Sequence, residues 1–120
     1  MKILIVEDSP PMARMIRRVI ADCAAEIYDC DDGAAAIVLY AARRPDLVLM
    51  DVELKQMNGI AATGRIRQDY PDARIVIVTN YDDDDLRRAA TTAGAHSYIL
   101  KDNLLALRPL LGDGRERAKA

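Results

Sequence analysis

The sequence predicts an α/β protein built on a five-stranded parallel sheet with helices on both faces. Short runs rich in branched residues alternate with helical patterns five times along the chain. The central runs are apolar at successive positions rather than every second one, which is the pattern of strands covered on both faces. The 120 residues, 51% hydrophobic and 30% charged, suffice for one core and are too few for two domains.

Taken in order, Ile3 to Val6 is the first strand. The first helix comes next, with Met12, Met15, Ile16, Val19, Ile20 and Cys23 on one stripe and Arg14, Arg17 and Arg18 turned to solvent. Pro10 and Pro11 fit only its first turn, where the missing amides cost nothing. Glu26 to Cys30 is a more polar strand, suited to a sheet edge. Asp32-Gly33 introduces an alanine-rich helix ending near Arg44-Pro45, since a residue before proline is pushed out of helical geometry. Leu47 to Met50 is the next buried strand, and Asn58-Gly59 opens a helix that must stop before Pro71.

Ile75 to Val78 is the third fully apolar strand. The four carboxylates of Asp82 to Asp85 make a solvated start for a helix carrying Leu86, Ala89, Ala90 and Ala93, with Gly94 as its stop. Tyr98 to Leu100 is the last strand. The final helical pattern, Asn103 to Leu111, is expected to be short or kinked because Pro109 removes an amide from its interior. Its Leu104, Leu105, Leu107, Leu110 and Leu111 divide between the sheet and a face free for a partner. The domain therefore spans residues 1–111, and 112–120 reads as a flexible tail or the start of a linker.

A net charge of −2 offers no basic field for nucleic acid or anionic lipid. No apolar run approaches the ~18 residues of a membrane span, and Met1 to Asp8 turns acidic too soon for a signal peptide, so a cytoplasmic protein is expected. Cys23 and Cys30 form no CxxC pair and are expected as buried free thiols. His96, the sole histidine, reads as a surface turn residue rather than a base.

The polar residues standing directly after the apolar runs are the informative feature: Glu7-Asp8, then Asp51, Thr79 and Lys101. Parallel strands bring these positions to one edge, where open α/β sheets bind ligands. Clustered carboxylates repel, so Glu7, Asp8 and Asp51 should raise their pKa values or hold a cation, and an all-oxygen set that leaves room for a phosphate oxygen suits Mg2+. Lys101 and Thr79 supply a positive charge and a donor for a phosphoryl group, and Asp51 is placed as its acceptor. Singly, each residue has a duller role as a helix cap, a backbone partner or a surface charge; five suitable groups at four strand ends make the site.

Leu4-Ile5-Val6-Glu7-Asp8, Pro45 to Asp51, Met57-Asn58-Gly59, Thr79, Gly94-Ala95 and Tyr98-Ile99-Leu100-Lys101 together resemble the response-regulator receiver domains of two-component signalling. Thr79 to Asp83 and Tyr98 to Asp102 are similar to receivers of the LuxR-type regulators. The resemblance implies a flavodoxin-like, doubly wound sheet of order 2-1-3-4-5. It also implies a switch in which a sensor histidine kinase phosphorylates Asp51. Glu7, Asp8, Asp51 and the Glu53 carbonyl would hold magnesium, and Thr79 and Lys101 would grip the phosphoryl oxygens. Thr79 and Tyr98 would act as switch residues altering the face of the fourth helix, fifth strand and fifth helix, through which an output domain or a homodimer forms. Glu53 and Tyr81 would tune the lifetime of the phosphorylated state.

The sequence departs from the family pattern at three places. Lys55 stands where proline is usual, Asn80 where a small residue is common, and Asp102 where a proline after the lysine typically forms a cis bond. A non-proline cis bond costs about 2.5 to 4 kcal/mol, so either a trans peptide or a strained one is expected there. Three other functions compete. An aspartate-nucleophile, Mg-dependent phosphatase needs a second aspartate where Glu53 stands and a cap domain that the chain lacks room for. A flavodoxin-like cofactor binder needs a phosphate loop after the first strand, where Glu7-Asp8 would repel it. A degenerate receiver acting only as a binding module is disfavoured by Asp51, Thr79 and Lys101. The resemblance thus implies a phospho-acceptor rather than an enzyme turning over an external substrate.

Overall fold

The computed structural model describes residues 1–111. Five strands, β1 (Lys2–Val6), β2 (Glu26–Cys30), β3 (Leu47–Met50), β4 (Ile75–Thr79) and β5 (Ser97–Leu100), form one parallel sheet of order β2-β1-β3-β4-β5. Between them run α1 (Pro10–Ile20), α2 (Gly33–Arg43), α3 (Gly59–Asp69) and α4 (Asp84–Ala93). The tail expected over 112–120 lies outside the described residues.

The unbroken apolar strands are explained by two cores, one on each face. Leu4, Val6, Val48, Met50, Ile75 and Ile77 point to the side of Ala36 and Tyr40 from α2, Ala62 and Ile66 from α3, and Ala90 from α4. Their alternates Ile3, Ile5, Leu47, Leu49, Val76 and Val78 point to Ile16 and Ile20 of α1 and to Leu104, Leu107 and Leu111. Every residue of β3 and β4 is buried, whereas the edge strand β2 has no fully buried position. The helices begin where short polar side chains cap them: Asp32, Asn58 and Asp83 accept from the amides of Ala35, Ala61 and Leu86 at 2.7, 2.8 and 3.0 Å. Asp83 to Asp85 thus occupy the cap and first turn of α4 as expected.

Three expectations need correction or sharpening. The last element is a 3₁₀ segment, Lys101–Leu107, and its break falls at Asn103 (φ −136°, ψ 52°) rather than at Pro109. Pro109 instead lies in the short helical stretch over 108–111 that comes after it. Here Leu104, Leu107 and Leu111 are buried while Leu105 stays 72% exposed. Cys23 and Cys30 form no disulfide and are only partly buried, Cys23 in the turn after α1 and Cys30 on the edge strand β2. Burial is still enough to push the Cys30 thiol up to about 11, which keeps it protonated and unreactive. The Lys101–Asp102 peptide is trans, like all described peptide bonds. His96 is exposed, its ring beside the Ser97 hydroxyl.

Candidate functional site

The strand register determines the site. Val6 pairs with Met50, so the next residues along, Glu7 and Asp51, leave adjacent central strands side by side. The Asp51 amide still donates to the Val6 carbonyl at 3.0 Å, and the Glu7 amide to that of Cys30 at 3.0 Å. This is the point where chain order reverses between β1 and β3, the crevice in which open α/β sheets take ligands.

Carboxylate oxygens of Glu7, Asp8 and Asp51 all lie within 4.8 Å of one another. Glu7 and Asp51 are buried, and Asp8 is the more open of the three. Lys101, at the end of β5, reaches across β4 to them. Its ammonium lies 2.8 Å from Glu7 Oε1 and donates to Asp51 Oδ2 at 2.9 Å. Burial raises the pKa of the Glu7 carboxyl, with the neighbouring Asp51 charge adding to it and Lys101 opposing. Burial alone would pull Lys101 down, but its bonds to Glu7 and Asp51 outweigh that and leave it above the usual lysine value. One ammonium against three carboxylates leaves the cluster short of positive charge. Glu7 Oε1 is buried without a well-aligned hydrogen bond, while Oε2 accepts from the Ser9 amide at 3.1 Å. An all-oxygen cluster with excess negative charge fits a hard divalent cation.

A cleft of about 500 Å³ adjoins Glu7 and Asp8, walled by Arg14 and Arg17 of α1, by Asp29 and Asp31, and by Lys55. Lys55 pairs with Asp31 at 3.1 Å, so the residue that replaces the usual proline ties the loop after β3 to the turn after β2.

A second group lies on the β4–β5 side. Thr79 is fully buried at the end of β4, and its hydroxyl accepts from the Tyr81 amide at 3.3 Å. The Tyr81 hydroxyl donates to the Glu53 carboxylate, a contact that raises the Tyr81 pKa. Tyr98, half-buried on β5, donates its hydroxyl to the Tyr81 carbonyl at 2.6 Å. Glu53, Thr79, Tyr81 and Tyr98 are therefore linked through Tyr81.

The family model of the response regulator receiver domain matches residues 3–108. The chain belongs to this family. The receiver is 35% identical over 104 residues to the nitrate/nitrite response regulator protein NarP of Escherichia coli, covering 85% of this chain and 48% of that protein. It is 34% identical over 101 residues to the chemotaxis protein CheY of Bacillus subtilis, covering 83% and 84%. Among solved structures, a LuxR-family two-component response regulator from Aurantimonas sp. SI85-9A1 superposes with a TM-score of 0.82 at 31% identity, over 93% of this receiver and 85% of that chain. The receiver spans about half the length of the transcriptional regulators it matches, 44% for DegU of Brevibacillus brevis and 49% for YhcZ of Bacillus subtilis.

Glu7, Asp8, Asp51 and Lys101 are brought together as the sequence predicted. What sequence reasoning missed is why Gly59 stands at the start of α3. A Cβ there would lie 1.8 Å from the Asp51 carbonyl oxygen, so only glycine lets α3 approach the backbone beneath the acid. The Asn58-Gly59 pair signalled a helix start, but only the fold shows what it packs against.

Proposed function

We propose that this receiver is a phosphorylation-controlled signalling switch with Asp51 as the phospho-acceptor. The observation that carries the reading is the convergence of Lys101 and three carboxylates at the switch point of the sheet. Asp51 Oδ would attack the phosphorus of a phosphohistidine on a sensor kinase. An O–P bond forms as the N–P bond breaks, and the imidazole leaves with the electron pair. Glu7, Asp8, Asp51 and the backbone of Glu53 would hold Mg2+, which when bound offsets the charge of the phosphoryl group. Lys101, already bonded to Asp51, would exchange a carboxylate oxygen for a phosphoryl oxygen at little cost in rearrangement. The Thr79 hydroxyl would leave the Tyr81 amide to donate to another phosphoryl oxygen.

Contacts made only in the phosphorylated state shift the population between two packings. Thr79 and Tyr98 carry that shift to the surface of α4, β5 and the 3₁₀ segment, where an output domain, a second copy or a partner would read it. Glu53 and Tyr81, bonded to each other beside Asp51, would set how readily water reaches the acyl phosphate. The unit acting this way is residues 1–111, in the cytoplasm, and its chemistry is confined to its own phosphorylation and dephosphorylation. No helix among the described residues is long and apolar enough to cross a membrane.

The test is intact-mass spectrometry after incubation with acetyl phosphate and Mg2+. The wild type is expected to gain one phosphoryl group and Asp51→Ala none. Equal labelling of both proteins, or sustained phosphate release from a phosphomonoester, would refute the switch reading.

A further inference from the structure

Three basic side chains, Arg14, Arg17 and Lys55, face the cleft beside Glu7 and Asp8. Two of them are bound by acids at the end of β2: Arg17 pairs with Asp29, and Lys55 with Asp31 at 3.1 Å. Asp8, the most open of the three clustered acids, makes no hydrogen bond or ion pair among the described residues. The strand register explains the placement. Val6 pairs with Cys30, so Asp31 leaves β2 beside Glu7 as that residue leaves β1. Lys55 comes from the loop after β3, and that loop is pressed against the β2–α2 turn, since a Cβ on Gly33 would lie 2.4 Å from the Met57 carbonyl oxygen. Lys55 therefore stays beside the cleft whether or not Asp31 holds it. The Asp31 hydrogen bond raises the Lys55 pKa above the usual lysine value, and the Asp8 charge adds to it. Asp32, the other acid of the turn, is occupied in capping α2, which leaves Asp8 as the unpaired carboxylate acting on Lys55.

We propose that Asp31 is a positioning residue for the cation site: by holding Lys55 it keeps that ammonium off Asp8, an inference that rests on the Mg2+ reading of Glu7, Asp8 and Asp51 above. Its physical basis is competition for one carboxylate. Lys101 already offsets part of the charge of Glu7 and Asp51. A second ammonium on Asp8 would set two cations against three acids and occupy the oxygen that a divalent ion needs. The Lys55–Asp31 pair is itself exposed, 60% at the lysine and 55% at the aspartate, so it adds little to stability and its effect lies in where it leaves the charge. The same exposure lets Lys55 change partners once Asp31 is neutral. A proline at position 55, usual in the family, brings no such charge to the cleft, so the need for a counterion arises with this lysine.

The experiment uses the full chain. Mg2+ affinity is measured by calorimetry at fixed ionic strength for wild type, Asp31→Asn, Lys55→Gln and the double variant. Asp31→Asn is expected to weaken binding about three- to tenfold, and by less than about twofold when residue 55 is already neutral. Loss of a remote charge alone would give the same factor in both backgrounds. That result would overturn the proposal, as would an unchanged affinity in Asp31→Asn. A second readout comes from the metal-free proteins. A carbodiimide condenses an amine with a carboxylate it touches, and peptide mass spectrometry then maps the amide. Lys55 is expected to couple to Asp31 in wild type and to Asp8 in Asp31→Asn. Coupling of Lys55 to Asp8 in wild type, or its absence in Asp31→Asn, would equally overturn the proposal. If wild type binds no Mg2+ the metal reading fails, while the cross-link still decides whether Asp31 holds Lys55 off Asp8.

Discussion

The acids at the ends of β1 and β3, bound by Lys101 from the end of β5, and the tyrosines within β5 and just after β4 belong to one sheet, yet they are held in opposite ways. At β1 and β3, Glu7 and Asp51 are buried and are bound by a lysine that is itself 8% exposed. At β4 and β5, Tyr81 and Tyr98 are tied by single hydrogen bonds and by the Arg87 guanidinium over the Tyr98 ring, and Tyr81 is 43% exposed. The first region concentrates charge in a low-dielectric setting and cannot rearrange without leaving a charge unpaired. The second exchanges modest contacts with little penalty. A phospho-switch needs both: a fixed place for charge to arrive and a loose place for its arrival to be felt.

The contrast is tested most severely at Gly59. Adding a methyl group pushes against the Asp51 carbonyl at 1.8 Å, so Gly59→Ala should cost about 3 kcal/mol, read as a fall in denaturation midpoint, and should impair phosphorylation as well. A loss below about 1 kcal/mol would mean that the β1–β3 end is as yielding as the other. Glu7→Gln comes next. It removes a carboxylate whose burial disfavours its charge, so the metal-free variant should melt at a higher temperature than wild type while its Mg2+ affinity falls at least about tenfold.

The pH dependence has a definite sign. Since the folded pKa of Glu7 lies above its unfolded value of 4.5, its ionisation opposes folding at neutral pH, and that penalty fades as pH falls through the raised pKa. Metal binding, which needs the ionised form, should weaken over the same interval, at a higher pH than for an ordinary carboxylate. Calorimetric or optical titration of Mg2+ binding between neutral and acid pH would show this, and a midpoint at or below 4.5 would contradict it. The smallest effect is expected at Tyr98→Phe, where losing one half-exposed hydrogen bond should cost about 0.5–1.5 kcal/mol in a denaturant titration.

Much of this was legible in the chain. The successive apolar positions of β1, β3 and β4 required cover on both faces, and Asp32-Gly33, Asn58-Gly59 and the run Asp82 to Asp85 marked three helix starts correctly. The meeting of Glu7, Asp8, Asp51 and Lys101 came from parallel strands that share an edge. Other features were not legible. Pro109 drew attention as the kink, but the backbone breaks at Asn103, where the chain must turn from Lys101 into the Leu104 and Leu107 contacts. Asp82 looked like one of four equivalent acids until the position of Arg87 distinguished it. Likewise no local pattern separates Leu107, fully buried, from Leu105, which faces solvent two residues away.

The sequence by itself determined the layers, the parallel sheet and the chemical types gathered at its edge, because periodicity and strand-end residues are local and survive without knowledge of any partner. Tertiary structure alone decided which carboxylate is desolvated, why Gly59 is required, and which cation rests on Tyr98. Those depend on distances between segments far apart in the chain, and electrostatic and packing energies change steeply over the few ångströms that only the completed fold sets.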